Sequence, residues 1–123
     1  MDFKIVLNDV NQETPLIYMW EIHKSNGEVF GRYVGKSKDS DRPLKRYKMN
    51  VMNLLAGKPY HKINKPDGYR VIHKKLAEAV ADNHSITLTF LCNKQEDQNI
   101  NDLERYWINE KNCSGGESWQ LNG

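Results

Sequence analysis

The chain reads as a small α+β domain, a largely antiparallel mixed β-sheet with a β-hairpin and three flanking helices. Three observations point there. Two segments rich in β-branched and aromatic residues, Leu16–His23 and Glu28–Gly35, flank Ser25-Asn26-Gly27, and Asn-Gly is the strongest short hairpin signal. Three stretches carry apolar residues at helical spacing. A further apolar segment, ITLTFLC at Ile86–Cys92, is short enough for a buried strand.

Each element has its own warrant. Phe3–Leu7 is a short strand. In the hairpin, a two-residue turn at Asn26-Gly27 sets Ser25 opposite Glu28, Trp20 opposite Tyr33 and Tyr18 opposite Gly35. Tyr18 and Tyr33 then share a face as diagonal neighbours, roughly 7–8 Å apart at Cα. Ile17, Met19, Phe30 and Val34 take the other face, and a bulge at Gly31 would separate the tyrosines. Ser40-Asp41 caps a first helix, Arg42–Ala56, with Leu44, Tyr47, Val51 and Leu54/Leu55 inward, stopped by Gly57 and Pro59. Gly57–Gly68 is a polar loop. The second helix runs Tyr69–Asp82, with Val71/Ile72, Leu76 and Ala79/Val80 inward. The third covers Gln95–Lys111, with Ile100, Leu103 and Trp107 inward. Ser114-Gly115-Gly116 is a turn, and Trp119–Leu121 a last short strand. There are no repeats and no low-complexity linker, so the 123 residues form one domain.

Composition narrows the function. Charged residues make up 28% and hydrophobic ones 38%, an ordinary globular balance. No apolar run is long enough to span a membrane, and the N-terminus lacks the form of a signal peptide. Cys92 and Cys113 then read as reduced thiols of an intracellular protein, without the spacing of a metal site. The net charge of +2 conceals an asymmetry. From Arg32 to Lys75 there are 13 Lys/Arg against 3 Asp/Glu, an excess of +10, and elsewhere 5 against 13, or −8. A basic middle of this kind is the footprint of a polyanion partner.

Taken singly, the polar residues are unremarkable: Tyr18 and Tyr33 are strand aromatics, Arg46 and Glu104 helix charges, Asn122 a turn residue. Together they form a pattern. Leu16-Ile17-Tyr18 and Tyr33-Val34-Gly35 resemble the two tripeptides that name the GIY-YIG nuclease family. Lys45-Arg46-Tyr47 resembles that family's arginine helix, Asp102–Ile108 its metal-binding glutamate helix, and Trp119–Asn122 its final segment. Five elements in order cover nearly the whole chain. Two departures stand out. Leu16 replaces a glycine, and Asn50, four after the arginine, stands where the family often has histidine, tyrosine or lysine, so it can position a group but not exchange a proton.

The resemblance implies a metal-dependent DNA endonuclease. Tyr33 is its general base, Tyr18 helps hold the water, Arg46 meets the scissile phosphate, Glu104 binds Mg²⁺ (or Mn²⁺), and Asn122 supports the site. A phenol with the ordinary pKa of about 10 is a poor base at neutral pH, so cations must stand beside it, and Lys36 and Arg46 are the candidates. Lys36, Asn50, Lys58, His61, Lys62 and Lys65 are candidate contacts to the substrate. The implied partner is duplex or branched DNA. Since many members attach a separate DNA-binding domain, the chain reads as a lone catalytic module or a piece of a longer protein. The alternative is a degenerate copy that holds nucleic acid without cutting it.

Overall fold

The computed structural model describes residues 2–60 and 68–122. Four strands form one mixed sheet: β1 (Lys4–Val6), β2 (Leu16–His23), β3 (Val29–Ser37) and β4 (Ser85–Asn93), in the order β1-β4-β2-β3. The β2–β3 and β2–β4 pairs are antiparallel, and only β1 runs parallel to β4. The helices are α1 (Tyr47–Leu55), α2 (Val71–Ala81) and α3 (Ile100–Glu110). This is the expected small α+β fold.

Helices cover both faces of the sheet. Alternation along β2 sends Leu16, Tyr18, Trp20 and Ile22 to one side, where they pack with Tyr47 and Val51 of α1, Ile72 and Leu76 of α2, and Ile86, Leu88 and Phe90 of β4. Ile17 and Met19 point the other way with Val34, and Ile100, Leu103, Trp107 and Ile108 of α3 cover them. The first cluster is much the larger, so burial on the α1/α2 side supplies most of the hydrophobic stabilisation.

The hairpin register matches the expected one where it matters, though by a different route. Lys24, not Ser25, faces Glu28: Lys24 N–H donates to Glu28 O at 2.9 Å, and Gly27 closes a three-residue loop at φ +89°. That loop shifts the pairing by one residue, with His23 opposite Val29. A bulge then absorbs Phe30, and from Ile22↔Gly31 to Leu16↔Ser37 the pairs are those expected. Trp20 thus faces Tyr33, and Tyr18 faces Gly35. The bulge lies before Gly31, so it leaves the two tyrosines on one face. It does move Phe30, expected beside Ile17 and Met19, to the α1/α2 side, where its ring lies 4.8 Å from that of His84.

Other differences are at element ends. The first helix opens with a π-helical turn, Arg42–Arg46, in which Tyr47 N–H donates to Arg42 O, and Asp41 provides no side-chain cap. Leu55, placed on the inward stripe, is exposed. The third helix begins at Ile100 rather than Gln95, because the Asn99 side chain accepts from the N–H groups of Asn101 and Asp102 and so fixes the N-terminus there. Trp119–Leu121 is not a strand. It makes one parallel bridge, Arg32↔Gln120, along the outer edge of β3.

Candidate active site

The site grows from the hairpin face that carries both family-like tyrosines. Tyr18 is 1% exposed and its ring lies directly over Gly35. A Cβ at that glycine would meet the ring and hydroxyl at 2.5 Å, so the last residue of the Tyr33-Val34-Gly35 tripeptide must be glycine for the phenol to cross its partner strand. The Tyr18 hydroxyl is 2.7 Å from that of Tyr47, and the rings meet edge to face. Tyr47 is equally buried, between Trp20 and His73.

Arg70 closes the cluster. It precedes α2, and one guanidinium nitrogen donates to the Tyr47 hydroxyl at 2.7 Å while another donates to the Tyr33 hydroxyl at 3.2 Å. Its charge also lies over both rings, 5.4 and 5.8 Å from their centroids. Tyr18, Tyr47, Arg70 and Tyr33 therefore form a continuous hydrogen-bonded chain from the core to a half-exposed phenol. Burial, reinforced by the neighbouring Tyr47, pushes the Tyr18 phenol well above its ordinary value. Burial pushes Tyr47 up to about 12, with Tyr33 adding to the rise and Arg70 opposing it. Tyr18 and Tyr47 thus keep their protons near neutrality, which leaves them as hydrogen-bonding groups rather than bases.

One cavity adjoins this cluster, and a second shares a wall with the first. The smaller, about 460 Å³, lies beside α1 and α2 and is walled by Arg42, Arg46, Tyr47, Asn50, Arg70 and His73 among others. The larger, about 870 Å³, is walled by Lys36, Lys38, Arg42, Arg46, Lys94 and Ile100 among others. Arg42 and Arg46, on the π-helical turn, belong to both. Five basic residues of the middle of the sequence, Lys36, Lys38, Arg42, Arg46 and Arg70, thus line the two hollows, with Asp39 and Asp41 also on the larger one.

The candidate residues are not all brought together. Arg46 and Asn50 share the smaller cavity, but Arg46 is exposed and pairs with Asp41 at 3.4 Å, while Asn50 is 6% exposed and packs beside His73. The cations expected at Tyr33 were Lys36 and Arg46. Lys36 instead hydrogen-bonds Asn101 on α3, and the cation on Tyr33 is Arg70. Asn122 spends both ends of its amide on β3: its oxygen accepts from Val34 N–H at 2.8 Å and its NH₂ donates to Val34 O at 2.7 Å. It thus extends the ladder of the edge strand beside Tyr33, which is a positioning role.

Glu104 sits apart from the phenols. It is half-buried on α3, the helix that covers the opposite face of the sheet, one turn beyond the cavity residue Ile100. Among the described residues its carboxylate has no ion pair or hydrogen bond, so no fixed cation competes for it. One such oxygen donor, completed by water and substrate oxygens, suits a hard divalent ion. The described residues hold no cluster of three or more His, Cys, Asp and Glu, so an ion held by Glu104 would draw most of its ligands from elsewhere than such a cluster. Lys58 is exposed in the loop after α1, and His61, Lys62 and Lys65 lie outside the described residues. No described helix is long and apolar enough to cross a membrane.

Tyr47 was not among the residues singled out for chemistry, and Arg70 was read only as a basic residue that could follow a DNA backbone, not as a partner of the tyrosines. Tyr47 was read as core, which it is. The overlooked signal was its hydroxyl, since a buried tyrosine oxygen needs a partner. Arg70 gave no such signal, because only the packing of α2 beside α1 brings it to the phenols. No protein-family model matches the chain, and neither a curated protein nor a solved structure is found to be similar to it.

Proposed function

We propose that the chain is a metal-dependent DNA endonuclease of the GIY-YIG type, hydrolysing phosphodiester bonds. The observation that carries this reading is the convergence of Tyr18 and Tyr33, on one sheet face and linked through Tyr47 and Arg70, beside cavities walled by Arg42 and Arg46. Hydrolysis needs a base for the attacking water, neutralisation of the phosphate and stabilisation of the leaving oxygen.

Of the three clustered phenols, Tyr33 is the half-exposed one, so, once its own proton has passed to solvent, it takes the water's proton as the water oxygen bonds to phosphorus. Tyr18 and Tyr47 act through Arg70, fixing the guanidinium that orients the Tyr33 hydroxyl. Arg46, exposed on the turn, offers a fork of donors to the phosphate oxygens once it leaves Asp41. Glu104 would hold Mg²⁺ or Mn²⁺, which when bound neutralises charge that builds up on the phosphate and leaving oxygens. The ester bond to the leaving oxygen then breaks, giving a phosphate monoester and a hydroxyl end. Free thiols at Cys92 and Cys113 go with an intracellular setting.

A second reading, a binding module of the same fold that does not cut, is favoured by one observation: Glu104 stands on the helix covering the sheet face opposite the phenols. Nicking of supercoiled plasmid separates the two. Cleavage with Mg²⁺ that stops on chelation supports the nuclease. Retention of plasmid without nicking, with Mg²⁺ or Mn²⁺ present, supports the binding module.

A further inference from the structure

The smaller cavity has a chemistry of its own. The Arg42 side chain has no ion pair or hydrogen bond among the described residues, and the Arg70 guanidinium bonds only phenol hydroxyls among them. Asp41 offsets Arg46. Among the described residues, two guanidinium charges therefore line this hollow without a carboxylate partner, and no acidic residue stands among its described walls.

Asn50 adds a second, independent observation. His73 Nδ1 accepts from the Arg70 backbone N–H at 3.1 Å, so the proton of the neutral ring sits on Nε2. That nitrogen lies 3.5 Å from the Asn50 amide nitrogen, which would set two donors against each other, while the buried amide oxygen has no partner. Rotating the amide by half a turn resolves both faults. The oxygen then accepts from His73, and the NH₂ becomes the unpartnered buried group of a residue that lines the cavity. Buried donors without partners are rare and costly, and they are met when a ligand supplies the acceptor.

We propose that this cavity is an oxyanion site that takes a phosphate of the bound nucleic-acid strand, held by the guanidiniums of Arg42 and Arg70 and by the amide NH₂ of Asn50, with His73 fixing the amide. The identity of the strand rests on the nuclease or binding-module reading above, whereas the affinity for phosphate rests on the cavity itself. Asn50 thereby has a role that needs no titratable group.

The test is calorimetric titration of inorganic phosphate into the protein at constant ionic strength. Saturable one-to-one binding is expected. Arg42→Gln and Arg70→Gln should each weaken it by about tenfold or more, the loss of one charged hydrogen bond. Asn50→Asp keeps an acceptor for His73 and sets a negative oxygen against the anion, so binding should vanish while the thermal midpoint is retained. Lys24→Gln removes the same charge from the hairpin turn and should change affinity by less than about twofold, as screening allows. Unsaturable binding, wild-type affinity in Asn50→Asp, or equal weakening by Lys24→Gln would overturn the site. If Asn50→Asp fails to fold, Arg42→Gln, an exposed change, decides the matter against Lys24→Gln. Hexathymidylate lacking terminal phosphates should displace inorganic phosphate, and simultaneous binding of both would overturn the strand as its source. Phosphate binding without DNA cleavage would count against the nuclease reading and leave the site standing, whereas cleavage without phosphate binding would do the reverse.

Discussion

The two faces of the sheet are built on opposite plans. On the α1/α2 face, three phenols and an arginine are locked by hydrogen bonds, ring contacts and a large core, so their positions are fixed before any ligand arrives. On the α3 face, a smaller cluster carries one half-buried carboxylate with no partner among the described residues. The contrast separates two uses of a polar group. A satisfied network confers rigidity and orientation. An unpartnered charge at a boundary remains available to an incoming cation. Breaking the first face should damage structure and function together, whereas breaking the second should affect function and leave the fold intact.

The largest effect is expected on the α3 face. Glu104→Ala should reduce Mg²⁺-dependent nicking by about 10²–10³-fold or more, as loss of a transition-state contact does, with the melting temperature within a degree or two of wild type. Cleavage above about a tenth of the wild-type rate would remove Glu104 from the mechanism.

Next comes the ionisation of the phenol cluster. The Tyr47 value is raised in the folded protein from the ordinary 10 to about 12. The folded state therefore holds this proton more tightly than the unfolded chain does. The corresponding stabilisation is fully present below about pH 10 and is lost as pH rises toward 12, an effect of about 3 kcal/mol. Tyr18, raised in the same direction, adds to it. Denaturant midpoints measured from pH 8 to 12 should fall across that window, and Tyr47→Phe should shrink the fall. A flat profile would show that the buried phenols ionise without cost.

A smaller effect separates packing from chemistry. Gly35→Ala places a methyl group against the Tyr18 ring, and overpacking of this kind costs about 1–3 kcal/mol. Chemical denaturation should register that loss, and nicking should fall as well, because the displaced Tyr18 releases Tyr47 and Arg70. Unchanged nicking in a destabilised variant would show that the relay from Tyr18 to Tyr33 is structural only.

The most local expected change is at the edge strand. Asn122→Ala deletes two hydrogen bonds to Val34, worth about 1–3 kcal/mol together. Hydrogen exchange should quicken at the Val34 amide and leave the β2–β4 ladder protected. Uniform quickening through the sheet would mean that the C-terminal segment holds the whole domain, not one strand.

Much of this architecture is legible residue by residue. Alternation along Leu16–His23 fixes which side chains go to which face, because a one-residue slip would expose Trp20 and Ile22. The same constraint explains why the tyrosine pairing came out as expected although the turn did not. The three-residue loop and the bulge at Phe30 cancel, since burial of the β2 side chains tolerates only one register. Local signals are weaker at helix ends, where Asn99 rather than the onset of the apolar stripe sets the start of α3.

The sequence by itself determined the sheet, the helices, the shared face of Tyr18 and Tyr33 and the concentration of positive charge, since each follows from periodicity or composition along the chain. Tertiary structure decided which groups touch. Arg70 reaches Tyr33 and Tyr47 because α2 docks beside α1, Asn50 turns inward to His73, and Glu104 lies on the helix over the other sheet face. The placing of Glu104 is that of its helix. These relations depend on the angles at which helices cross a sheet. Those angles are set by the packing of many side chains at once, and no short stretch of sequence encodes them.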